Sequence, residues 1–93
     1  MDIKTVSDFR AAIRQGPYAW PGGYPIYFIT SDGGVLSFKA ASEERRQIIQ
    51  SIGHDIRDGW KIVAAEINWE DALTCDHTGE QIECAYDVVP QEY

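Results

Sequence analysis

The sequence predicts a single α+β domain in which two helices pack on one side of a mainly antiparallel sheet, in the order α-β-β-α-β-β-β. Three observations carry this. Two stretches space their apolar residues at helical intervals, the remaining stretches alternate with period two, and turn signals rich in Gly, Pro and Asp separate them. At 93 residues, 44% hydrophobic and 12% aromatic, the chain suits one core spanning 1–93 and has no room for a second.

The first helix is expected from Val6 to Gln15. Thr5-Val6-Ser7-Asp8 reads as a capping box, in which hydroxyl and carboxylate each satisfy an orphan amide. Val6, Phe9, Ala12 and Ile13 then share a face, Arg10 and Arg14 point away, and Gly16-Pro17 supplies the stop. Tyr18 to Pro25 concentrates Tyr18, Trp20 and Tyr24 among two prolines and two glycines, which predicts a structured loop rather than a regular element. Its aromatics read as a lid over the core or as a secondary contact surface.

Ile26 to Ser31 and Val35 to Lys39 are β-rich runs around Asp32-Gly33-Gly34, the clearest hairpin of the chain, with glycines that accept positive φ. The second helix is expected to start at Ser42 as N-cap, with Glu43 and Glu44 at its positive end, and to stop at Gly53. Ile48, Ile49 and Ile52 give its spacing, Ile56 either continuing it or belonging to a further short turn toward Asp58-Gly59, with Arg45 and Arg46 as a solvated face bearing local ion pairs. Trp60 to Trp69 alternates, with Val63, Ala65, Ile67 and Trp69 inward and Glu66 outward. A last hairpin pairs Leu73–Cys75 with Gln81–Tyr86 across a turn containing Gly79; Leu73, Cys75, Ile82, Cys84 and Tyr86 face inward, and Glu83 and Asp87 outward. The tail from Val88 frays or extends the last strand.

Charge is distributed unevenly along this framework. The eight Lys and Arg all lie in residues 1–61, where seven acids leave +1, while 62–93 hold eight acids and no base, giving the net −7. On a folded sheet, Glu66, Glu70, Asp71, Asp76, Glu80, Glu83 and Asp87 would form an acidic face that attracts cationic surfaces and repels nucleic acid. These seven are the candidate partner-binding residues. The expected partner is a protein or protein–RNA complex with a basic surface, not a nucleic acid directly and not a membrane, engaged by a monomer or homodimer.

Catalytic and metal signatures are weak. Cys75, His77 and Cys84 form Cys-x-His-x6-Cys, which lacks the paired clamps of a tetrahedral zinc site. The expectation is two core thiols beside an exposed turn histidine, with a small metal-binding domain as the alternative. A Cys nucleophile would need exposure that the inward pattern denies it. No Ser sits in a Gly-x-Ser-x-Gly elbow, and the Gly-Gly pairs lack a following Lys-Ser/Thr, so neither hydrolase nor phosphate loop is indicated. Hence no enzyme, cofactor or metal is expected. Asp2 and Asp8 interrupt the stretch where a secretory signal would be apolar, and two cysteines do not make a disulfide framework, so a cytoplasmic setting is expected.

Gly16-Pro-Tyr-Ala-Trp-Pro-Gly-Gly-Tyr-Pro25, Ser31-Asp-Gly-Gly-Val-Leu-Ser-Phe38, and Trp69-Glu-Asp with Cys75-Asp-His-Thr-Gly79 resemble pieces of small bacteriophage and prophage proteins. The resemblance brings no site residues with it. It implies a bacterial host cytoplasm, and by class analogy an anti-CRISPR or other anti-defence inhibitor that occupies a basic nucleic-acid channel. A net −7 is sparse for full DNA mimicry, so a local plug is the expectation. The alternative is a structural or accessory phage protein that assembles through its aromatic loop.

Overall fold

A computed structural model of the chain describes residues 1–19, 24–69 and 73–82, and shows a small α+β fold. The elements are α1 (Val6–Gln15), β1 (Tyr18–Ala19), β2 (Tyr24–Thr30), β3 (Val35–Ser37), α2 (Phe38–Glu43), α3 (Arg45–Gly53) and β4 (Ile62–Ile67). Helix α1 has the predicted limits. Thr5 Oγ1 accepts from the Asp8 N–H at 3.1 Å, Asp8 Oδ2 accepts from the Thr5 N–H at 3.2 Å, and Gly16 closes the helix at φ 98°. The N–H of Lys4, more than that of Thr5, holds the Asp8 carboxyl below its ordinary value.

Strand β2 is the centre of the sheet. It pairs antiparallel with β3 (Phe28 opposite Leu36) and with β4 (Phe28 opposite Ala65), while β1 joins its start (Tyr18 opposite Pro25). Residues opposite one another share a face, so Phe28, Leu36 and Ala65, all buried, line the core side, and Tyr27, Ser37 and Glu66 line the other. Helices α1 and α2 meet the core side through Phe28, whose ring lies 5.9 Å from that of Phe9 on α1 and 6.2 Å from that of Phe38 on α2. Residues 1–3 extend the far edge of β4: Ile3 N–H donates to Val63 O and Ala65 N–H to Met1 O.

Several local expectations need correction. The Tyr18–Pro25 segment is not wholly loop, because Tyr18 and Ala19 pair back onto Tyr24 and Pro25; Trp20 to Gly23 lie outside the described residues. Strand β3 stops at Ser37, whose side chain caps the next helix by accepting from the Ala40 N–H at 3.1 Å. Ser42 is therefore inside α2 rather than an N-cap. The strand-like alternation through Lys39 gives way because a helix buries Ala40 and Ala41 completely. Glu44 then separates α2 from α3, so Glu43 ends one helix and Arg45 begins the next.

In β4 the inward residue is Ile62, not Val63. Thr30 pairs with Ile62 and Ile29 with Ala64, so Val63 is an extra residue in the ladder, and this bulge moves Ile62 onto the core face beside Ala65 and Ile67. Trp69 also leaves the inward set, since the chain has quit the strand after Ile67 and the residue is 44% exposed. The final hairpin has its predicted base, with Thr74 bridged to Gln81 and Gly79 at φ 77° in the turn. Cys84, Tyr86 and the tail lie outside the described residues.

Candidate functional site

Three of the seven acidic candidates fall among the described residues. Glu66 stands on β4 on the side of the sheet away from the helices, exposed, with Oε2 3.1 Å from the Met1 amino group. Its outward direction follows from the register, since it faces Tyr27 rather than the Phe28 row. Asp76 and Glu80 are exposed in the hairpin turn that docks beside β3, with β2 between them and Glu66. Glu70, Asp71, Glu83 and Asp87 lie outside the described residues.

Asp76 has a structural task that its sequence context did not reveal. Its Oδ2 accepts from the Val35 N–H at 2.8 Å, and its own N–H donates to Val35 O at 2.9 Å. These reciprocal bonds lock the turn to the start of β3. Gly34 makes the approach possible: a Cβ there would lie 2.6 Å from Asp76 Oδ2 and 2.9 Å from Thr30 Oγ1. Of the two turn glycines, Gly33 is needed for its φ of 85° and Gly34 for its lack of a side chain.

Cys75, 1% exposed, sits beneath the same turn and is a free thiol. The Ser37 N–H points at its Sγ from 3.4 Å. Burial pushes this thiol up, but the Thr78 hydroxyl and the N–H groups of Ser37, Thr78 and His77 together outweigh it, bringing the pKa down to about 7. His77 is turned the other way, edge-on to Trp60 at 4.9 Å and 3.7 Å from Glu44 Oε2. Among the described residues no three His, Cys, Asp or Glu side chains are grouped as metal ligands; Cys84, the third member of the sequence triple, lies outside them.

Glu80 also borders a cleft of about 530 Å³, floored by Ile26, Phe38 and Ile82 and edged by Lys39 and Glu43. Its size is in the range of small-molecule sites; Lys39 and Glu43 border it one turn apart on α2, together with Ser37, Ser42 and, from the hairpin, Glu80. Of the aromatic candidates, Tyr24 packs against Trp69 with ring centres 4.6 Å apart and planes tilted at 55°, and Tyr18 is half-buried on β1; Trp20 lies outside the described residues. Trp69, Glu66 and Met1 border a second hollow of about 240 Å³.

The residues that sequence reasoning missed are basic. Arg10 and Arg14 of α1 and Arg45 and Arg46 of α3 converge on the groove between those helices, around Ile13 and Ile49. None of the four makes an ion pair among the described residues, contrary to the local pairs expected for Arg45 and Arg46; Arg45 Nη1 donates instead to Ser42 O. Their spacing, Arg10 with Arg14 and Arg45 with Ile49 at i, i+4, was the available signal. Among the described residues no helix is long and apolar enough to cross a membrane. No protein-family model matches the chain, and neither the curated proteins nor the solved structures contain a significant match to it.

Proposed function

We propose that this chain is a non-catalytic inhibitor of anti-CRISPR type, which works in the cytoplasm of a bacterial host by covering a basic, nucleic-acid-engaging surface of a defence complex. The supporting observation is the separation of charge: −8 over residues 62–93 against +1 over the rest. Carboxylates held by a strand and a tight turn meet Lys and Arg without the ordering cost of a flexible tail, and they accelerate association with a cationic surface. Glu66 and Glu80 are the described residues assigned to contact; Asp76 contributes charge while holding the turn. Glu70, Asp71, Glu83 and Asp87 complete the set on sequence grounds.

The test is target-DNA binding by purified guide-loaded CRISPR effector complexes, titrated with this protein at two ionic strengths. Inhibition that weakens with salt, and weakens at least about tenfold in Glu66→Lys/Glu80→Lys, is the expected result. Undiminished inhibition by that variant would rule out the acidic contact. A second reading, assembly through the aromatic segment, is favoured by the exposed Trp69 packed at a tilt against Tyr24. It predicts a salt-insensitive oligomer by light scattering that Trp69→Ala dissociates.

A further inference from the structure

We infer that the arginine-edged groove between α1 and α3 is a second binding surface, one that takes a short acidic peptide segment carrying aliphatic side chains. The surface is separate from the acidic face and stands without it. Two adjoining hollows of about 410 and 310 Å³ share Arg10, Arg45 and Ile49; Arg46 borders the first and Arg14 the second. All four arginines are exposed, and among the described residues Glu43 is the one acid on the rim. Each guanidinium offers a planar fork that matches a carboxylate in bidentate fashion.

The floor decides among anionic partners. Ile13 and Ile49 are half-buried at its base, and Phe9 beneath them is fully buried, so among the described residues the groove presents aliphatic surface and no exposed aromatic face. Single-stranded nucleic acid is held by stacking on aromatics, which the described residues of this groove do not offer. An aliphatic floor between cationic walls fits leucine-like side chains flanked by Asp or Glu.

Range supports the same choice. The molecule as a whole carries −7, which repels a long polyanion extending past the groove. A short segment stays near the arginines, within the Debye length of about 8 Å at physiological ionic strength, and is governed by the local positive charge. Arg10 and Arg14 stand one turn apart, about 6 Å along the axis, which spaces them for carboxylates on successive turns of a helical segment or at alternate positions of an extended one.

Fluorescence anisotropy with a short fluorescein-labelled Glu/Leu amphipathic peptide tests this, with a Glu/Ser peptide of equal charge and single-stranded oligo-dT as competitors. Expected are salt-sensitive binding of the Glu/Leu peptide, weaker competition by Glu/Ser, and a loss of at least about tenfold in Arg10→Glu/Arg45→Glu, with circular dichroism reporting an unchanged fold. Glu66→Lys/Glu80→Lys should leave this binding intact, which separates the groove from the acidic face. Absence of peptide binding at low salt, equal binding by the arginine variant, or oligo-dT competing better than Glu/Ser would overturn the assignment.

Discussion

Phe28 meets Phe9 and Phe38 across the helical side of the sheet with rings fully or largely buried, whereas β3 meets the 73–82 hairpin through Asp76, Cys75 and backbone N–H groups. The first contact is apolar and tolerates the charges at its margin, so the arginines of α1 and α3 stay available. The second is polar and consumes charge: Asp76 spends one carboxylate oxygen on Val35. Counting acids therefore overstates the acidic face, and counting bases along helices understates the groove.

The comparison can be broken first at the apolar contact. Phe28→Ala should cost about 3 to 5 kcal/mol, since it empties the point where β2, α1 and α2 meet; chemical denaturation measures it. At the polar contact, Gly34→Ala should cost about 1 to 3 kcal/mol, because the new Cβ crowds an Asp76 oxygen already held by Val35 and a Thr30 hydroxyl that accepts from the Gly34 N–H. Asp76→Ala should cost about 1 kcal/mol by removing the acceptor of the Val35 N–H, and combining it with Gly34→Ala should be less than additive. A fully additive double mutant would mean that the two residues do not share the contact.

Smaller effects sharpen the contrast. Thr5→Ala should cost about 1 kcal/mol through the lost cap of α1. Because the Asp8 carboxyl is held below its ordinary 3.8, its contribution is present above that value and is lost as pH falls through the lower folded value. Cys75 follows the same sign at higher pH. Its thiol is lowered from 9.0 to about 7, so the thiolate adds stability that is full above pH 9 and lost as pH falls toward 7. In a Cys84→Ser background, denaturation midpoints should rise from pH 7 to 9, and Cys75→Ala should flatten that rise.

How far the sequence could be read depended on whether the deciding interaction was local. Helix α1 was legible to the residue because both of its end signals, the capping box from Thr5 and the stop at Gly16, are local to it. The β2–β3 hairpin and the base of the last hairpin were legible from their glycine turns. The start of α2 was not, because Ser42 followed by two acids carries the local cap signal, whereas the structure caps at Ser37 and so buries Ala40 and Ala41. Nor was the bulge at Val63, which depends on how Thr30 and Ile29 pair with β4. At the candidate sites, Glu66 was placed outward correctly by alternation, while the structural bond of Asp76 joins residues 41 positions apart. The arginine groove escaped because a single helix shows which residues leave the core, but not which of them border a neighbouring helix.

The most direct measurement is the association rate of this protein with an immobilised guide-loaded CRISPR effector complex as a function of ionic strength, for the wild type, Glu66→Lys/Glu80→Lys and Arg10→Glu/Arg45→Glu. An acidic face that reads a basic surface predicts a rate that falls steeply with salt in the wild type, is lower and less salt-dependent in the glutamate variant, and is no lower than wild type and equally salt-dependent in the arginine variant. A rate independent of salt and equal in all three proteins would contradict it.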